Sequence, residues 1–278
     1  MSRAGWRGGP LRPPEVPARF RGPVRLGLVL FTIATAVAFF VRLWIELHVG
    51  TTGVVGVDHG IYREAALRWL GGGSFYYPEQ VNGPYEIVQG HVLYPPFALA
   101  WLVPGAYLPD LLWWGIPLVA IAAVVVHHRP PLWAWPMIGL CVATFWSVEI
   151  IASGNPGLWI AMFVAIGTVW RPAFALVLLK PSLFLFALPG IWSRGWWVIA
   201  AAIAALSIVL LPMSLDYVRV VLNARGGNAT ILYSIRDVPL MLVPLIAWVT
   251  GRFGAFQSPE LPPASGTSGD QSPLTPTA

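Results

Sequence analysis

The stretch from Leu26 to Trp44 is apolar apart from Arg42, and it is long enough to cross the hydrocarbon core of a bilayer. Runs of similar character recur along the chain to about residue 250. Inside hydrocarbon a backbone must satisfy its own hydrogen bonds, so continuous apolar runs become helices. A barrel would need strict alternation of apolar and polar residues, and these runs do not alternate. The composition agrees. Of 278 residues, 56% are hydrophobic and 10% charged, with a mean hydropathy of +0.68. Soluble domains carry roughly 25% charged residues. The expected fold class is all-α: a polytopic transmembrane helical protein with about seven or eight spans.

The charge distribution orients the chain. The formal net charge is +5, and Arg3, Arg7, Arg12, Arg19, Arg21 and Arg25 precede the first run, opposed there only by Glu15. Such a bias keeps a terminus on the cytoplasmic side. Residues 1–25 are expected to be a disordered basic cytoplasmic tail, and 26–45 an uncleaved signal anchor, because no small-x-small cleavage site follows it. The Pro/Gly-rich tail offers no folded basic surface with interleaved aromatics, so no nucleic-acid partner is expected. Residues 26–250 are read as one transmembrane domain, and 251–278 as a second disordered tail rich in Ser, Pro, Gly and Thr. Within the domain, 95–126 reads as two short spans or one span with a re-entrant half. Spans follow at 132–152 and 158–170. Residues 173–192 read as a shallow hairpin with Lys180 at its apex. A further span at 196–212 leads to a second polar loop, 213–237, and a last run, 238–250. Cys141 is alone, which excludes an intrachain disulfide.

Ionisable residues are concentrated in one early loop, 46–94, expected on the extracytoplasmic side. It holds Glu46, Asp58, Glu64, Glu79 and Glu86, together with His48, His59 and His91. Asp58 to Leu70 reads as an amphipathic helix: Ile61, Ala65 and Trp69 share a face, Tyr62, Ala66 and Leu70 flank it, and Gly71-Gly72-Gly73 ends it. Such a helix lies in the membrane interface. Asp58 at its start fits two roles, a helix N-cap or a reactive carboxylate.

Several stretches occur in an order that resembles the bacterial membrane glycosyltransferases of family 87, the polyprenol-phosphate-mannose-dependent mannosyltransferase-like proteins of the GT-C superfamily. They are Asp58 to Tyr76, Tyr94-Pro95-Pro96-Phe97 with Leu108-Pro109, Gly154-Asn155, and Lys180-Pro181-Ser182. Together they cover roughly residues 26 to 212. Gly154-Asn155 stands where the family usually has Gly-Gln. Compared with that family the chain is shortened at its C-terminus.

The resemblance implies a multi-pass protein of the bacterial plasma membrane that transfers a hexose, mannose in the first instance. The donor would be a polyprenyl-phosphate sugar and the acceptor a lipid or a glycan, with membrane lipids around both. It implies that Asp58 is the general base. A hydroxyl attacking an anomeric carbon must lose its proton, and a carboxylate within hydrogen-bond reach accepts it. An inverting displacement needs no second carboxylate. The departing phosphate gains charge and needs cations or N–H groups.

Lys180 is the first candidate for that task, because a charge in an apolar run is costly and marks a site by default. A lysine snorkelling from a broken helix end is the competing reading. Asn155 is a candidate sugar or phosphate ligand, or simply part of the Ser153–Gly157 turn. His59, Arg63, His91 and Tyr94 complete the substrate-binding candidates, each also explicable as an interfacial residue. Arg219 and Arg225 join them if the second loop faces outward. No cofactor and no metal are expected. Two other readings compete: a non-catalytic or degenerate membrane scaffold or lipid-binding relative, and a small transporter, which would want ionisable groups in mid-span and symmetric halves. Lys180, Arg42 and Glu149 satisfy the first of those demands, and no inverted repeat is visible.

Overall fold

A computed structural model describes residues 18–48, 55–88, 90–225 and 235–255. The protein is mostly helical. The elements are α1 (Ala18–His48), α2 (Val57–Leu70), α3 (Pro78–Asn82), β1 (Tyr85–Glu86), α4 (Leu99–Gly105), α5 (Asp110–His128), α6 (Trp135–Ala143), α7 (Phe145–Ser153), α8 (Gly157–Val169), α9 (Arg194–Val209), α10 (Leu211–Asn223), β2 (Ala224–Arg225) and α11 (Val238–Ala255). Two segments of 3-10 geometry, Arg171–Leu179 and Pro181–Gly190, join α8 to α9.

Among the described residues, two helical stretches, Arg21–His48 and Asp110–His128, are long and apolar enough to cross a membrane, and up to four spans result if each of two bent pairs counts as one. Helix α1 starts eight residues before the expected boundary at 26, since Ala and Arg are good helix formers and carry the helix beyond its apolar part. Much of its apolar surface is exposed, including Leu30, Ile33, Phe40 and Val41. At the other end α11 continues through 251–255, where composition predicts the start of the tail. The rest of both expected tails lies outside the described residues.

The ambiguous stretch 95–126 resolves into α4 and the long α5. The span expected at 132–152 is bent by 59° between α6 and α7. Thr144 makes the bend: its backbone is extended, and its hydroxyl oxygen accepts from the Ser147 amide at 3.2 Å, capping α7. The stretch 173–192 divides at Lys180, which has non-helical backbone angles and is followed by Pro181. The first part of the region expected to be a second loop, 213–223, is instead helix α10, set at 93° to α9. Pro212 lacks the N–H needed to continue the α9 ladder, so the elbow falls there.

Two apolar clusters organise the fold. One is built from α5, α6, α7, α8, α11 and the 3-10 pair, with Leu158, Ile160, Phe174 and Met241 at its centre. The other joins α2, β1, α4 and α10 through Tyr62, Phe75, Tyr76, Leu102, Trp113 and Val220. Trp101, Trp114 and Trp159 pack against both. The apolar face expected to rest in the membrane interface is therefore used within the protein: α2 buries His59, Tyr62, Ala65 and Ala66 and packs on α4 and α7, while Leu70 is exposed. The expected glycine stop holds, with Gly71 capping the helix.

Candidate functional site

Asp58 lies in the first turn of α2, where the two clusters meet. It is not the N-cap: that position belongs to Gly56, which adopts a left-handed conformation and offers no side chain. Asp58 is free for another task because the chain is tied down by its backbone. The Gly56 amide donates to the Ala152 carbonyl at 3.0 Å, fastening the start of α2 to the end of α7.

The end of α7 supplies the partners. Ser153 Oγ donates to Asp58 Oδ2 at 2.9 Å, and Asn155 Nδ2 donates to the same oxygen at 2.6 Å. Asn155 is itself held, since its Oδ1 accepts from the Gly157 amide at 2.7 Å. Both donors converge on Oδ2. Among the described residues, no hydrogen bond is made to Oδ1.

Two tryptophans from α5 clamp the turn that presents these donors. Trp113 Nε1 donates to the Gly154 carbonyl at 2.8 Å, and Trp114 Nε1 to the Ile151 carbonyl at 2.6 Å. Gly154 has φ of 67°, and a Cβ there would sit 2.6 Å from the Trp114 ring. The sequence motif Ser153-Gly154-Asn155-Pro156-Gly157 is thus a turn, as expected, and it also delivers two ligands to a carboxylate.

Asp58 stands between two cavities. The larger, about 380 Å³, is lined by Glu46, Asp58, Tyr62, His91, Glu149 and Ser153, with an apolar remainder that includes Ile61, Ile87 and Leu93. The smaller, about 140 Å³, is lined by Asp58, Trp146, Glu149, Ser153, Asn155, Arg236 and Asp237. Arg236 is the cation that shares a cavity with Asp58.

Lys180 is placed differently from expectation. It is 7% exposed and lines neither cavity; its Nζ lies 2.6 Å from Oδ2 of Asp237, which is 4% exposed. The ammonium also sits 5.2 Å from the centre of the Tyr94 ring. It neither snorkels to the surface nor faces Asp58. It neutralises Asp237, and through Asp237 it borders the smaller cavity. Tyr94 is buried, accepts from the Tyr76 hydroxyl on its carbonyl at 2.8 Å, and lines neither cavity.

The remaining candidates divide. His91 lines the larger cavity, with Nε2 3.7 Å from Glu79 Oε1 and its ring edge against Tyr85. Arg63 points elsewhere: its Nε donates to the Ala106 carbonyl at 3.0 Å, tying α2 to the end of α4. His59 is not a solvated interfacial residue. It is 4% exposed, stacked 4.5 Å from the Trp113 ring and edge-on to Trp114, and it lines neither cavity. Burial lowers its pKa; Asp110, 3.6 Å from Nδ1, acts in the opposite direction, and Arg63 adds to the lowering. Arg219 is exposed and pairs with Asp216 at 2.8 Å, and Arg225 lines neither cavity.

Ser153, Glu46, Glu149, Arg236 and Asp237 are among the lining residues that the sequence does not point to as part of this site. Glu149 carried a usable signal, an acid inside an apolar run. Asp237 carried one as well, lying just before the last apolar run. Among the described residues, no group of three or more His, Cys, Asp or Glu side chains is arranged to hold a metal ion. A scan against protein-family models, a search of curated proteins and a search of solved structures each find no match.

Proposed function

We propose that the chain is a membrane glycosyltransferase that moves a hexose, mannose in the first instance, from a polyprenyl-phosphate donor to a hydroxyl of a lipid or glycan acceptor. The observation that carries this reading is the state of the Asp58 carboxylate. One oxygen is anchored by two donors, the other is left for a ligand, and the group stands between two cavities, one of which contains an arginine.

The chemistry follows from that arrangement. The acceptor hydroxyl attacks the anomeric carbon as its proton passes to Asp58 Oδ1. The bond from the anomeric carbon to the phosphate oxygen breaks, and its electron pair leaves with the phosphate. Arg236 is the cation placed to meet that charge, with the Lys180–Asp237 pair behind it. Ser153 and Asn155 hold the carboxylate so that its free oxygen does not rotate away. The likeness of the Asp58, Gly154-Asn155 and Lys180-Pro181 stretches to glycosyltransferase family 87 supports the choice of donor, and with it the GT-C type of fold and a bacterial plasma membrane.

The topology belongs to the same proposal. The N-terminal arginines lie on the cytoplasmic side, and the 46–94 loop on the other. Seven or eight crossings are part of it: two helices are long and apolar enough for one each and the two bent pairs bring the number to four, while the shorter apolar helices Pro96–Gly105, Gly157–Val169 and Pro181–Gly190 would enter the membrane only part-way.

The test is transfer in proteoliposomes supplied with polyprenyl-phosphate mannose and a panel of glycolipid acceptors. Wild-type protein is expected to transfer, and Asp58→Asn to fall by about 10²- to 10⁴-fold, the usual contribution of a positioned base. Equal transfer by Asp58→Asn removes that residue from the mechanism. No transfer by wild-type protein across donors and acceptors leaves the non-catalytic scaffold as the better reading.

A further inference from the structure

The cations near Asp58 lie to one side of it. Both cations of the site, Arg236 and the Asp237-bound Lys180, lie at or behind the smaller cavity. The larger cavity has carboxylates from three separate elements on its wall: Glu46 from α1, Asp58 from α2 and Glu149 from α7, the last two shared with the smaller cavity. Among the described residues, neither lysine nor arginine lines it, and its one histidine, His91, already faces Glu79. The rest of the wall is mainly apolar, from Val57, Ile61, Ile87, Val88 and Leu93, with the Tyr62 ring between and Ser153 beside Asp58.

A ligand that fits such a wall must donate hydrogen bonds to carboxylates and lay carbon surface on an aromatic and aliphatic floor. Sugar rings do both: their hydroxyls donate, and their C–H faces pack on rings. A phosphate or carboxylate on the same headgroup would meet like charges in a partly desolvated space, where they interact more strongly than in water. At about 380 Å³ the volume lies at the lower end for small-molecule pockets, so it holds a headgroup and not a whole lipid.

We infer that the larger cavity is the acceptor subsite and that it selects a neutral polyhydroxylated headgroup over an anionic one. The inference rests on the transfer reading for the word acceptor, but the selectivity is a property of the cavity and is measured by binding alone. Glu46 and Glu149 act here as specificity-determining residues, and the donor phosphate is left to the Arg236 side.

The experiment uses the full chain in nanodiscs of neutral phosphatidylcholine, titrated with octyl α-mannoside and with octyl α-mannoside 6-phosphate. The neutral glycoside is expected to bind tighter by about tenfold or more. Glu46→Gln and Glu149→Gln, singly and together, are expected to narrow that ratio towards one, chiefly by improving binding of the phosphorylated probe. Should the double variant not fold, raising salt on the wild-type protein is expected to narrow the ratio in the same sense. Equal or tighter binding of the phosphorylated probe by wild-type protein overturns the inference. Failure of both probes to bind overturns it too. A protein that discriminates between the probes but transfers no sugar keeps this inference and loses the transfer reading.

Discussion

Lys180 Nζ and Asp237 Oδ2 lie 2.6 Å apart with both side chains buried, and the two residues are 57 positions apart in the chain. The pair joins the break between the 3-10 segments to the start of α11, and it brings Asp237 to the wall of the smaller cavity. Removing one partner leaves the other charge buried. Asp237→Asn is expected to destabilise the protein by about 3–5 kcal/mol. The double variant Lys180→Met with Asp237→Leu is expected to recover most of that loss, because apolar residues of similar volume replace a buried pair with little penalty. Denaturation of the detergent-solubilised variants checks both outcomes, and a double variant no better than Asp237→Asn would contradict them.

Asn155 reaches in two directions, and the consequence is measurable. It donates to Asp58 and accepts from the Gly157 amide. Asn155→Ala removes a hydrogen bond to a charged group, a contribution of about 1.5–3 kcal/mol. The expected result is a drop in kcat of ten- to a hundredfold. Ser153→Ala, which leaves the shorter bond in place, is expected to cost less. A kcat unchanged in both variants would mean that the carboxylate needs no anchoring.

Gly157 is where the Asp58 and Lys180 assemblies touch. A Cβ there would come within 2.5 Å of Asp237 Oδ1 and 3.0 Å of Asn155 Oδ1. Gly157→Ala is therefore expected to lower kcat and Tm together, whereas Gly60→Ala, at a position with open space around its Cβ, is expected to leave both nearly unchanged. Matching effects from the two substitutions would argue that Gly157 has no special place.

The burial of His59 sets a pH dependence of stability. Its pKa is lowered from 6.5 in the folded state, chiefly by desolvation. Between the folded and unfolded values the unfolded chain binds more protons, so stability rises with pH through that window. The contribution is complete above about pH 6.5 and is lost as pH falls towards the folded value. Thermal melts from pH 8 to pH 5 are expected to show a falling Tm, with a shallower fall in His59→Phe, which keeps the stacking on Trp113. An equally steep fall in that variant would assign the effect to other groups.

What sequence reading could reach was local. Asp58 at the head of a short helix, the glycine stop after Leu70, the turn at Ser153–Gly157 and the break at Lys180 all follow from backbone chemistry within a few residues. The bend at Thr144 was readable in principle, since Thr and Ser three apart form a capping arrangement, but it sits inside an otherwise unbroken apolar run. Helix α10 was hidden because its charged residues resemble loop composition. The partners of the reactive groups were beyond reach for a different reason. Asp58 and Asn155 are 97 positions apart, and nothing near either residue specifies the other. Lys180 stands out in sequence as a costly charge, but the partner it pairs with, Asp237, lies 57 positions away and nothing near Lys180 specifies it.

The two-residue β1–β2 pairing has an implication for how the protein is made. Tyr85 and Glu86 lie alongside Ala224 and Arg225, the Tyr85 hydroxyl donates to the Val220 carbonyl, and Asn223 reaches back to the carbonyls of Gln80 and Val81. The early loop that carries Asp58 and His91 is thus latched by a segment translated some 140 codons later. A nascent chain halted after α8 would already contain Asp58, Ser153 and Asn155, yet the stretch from Gln80 to Glu86 would lack its partners in α10 and β2, and Arg236 would not exist. On the proposed reading, competence arrives late in synthesis, with the C-terminal third.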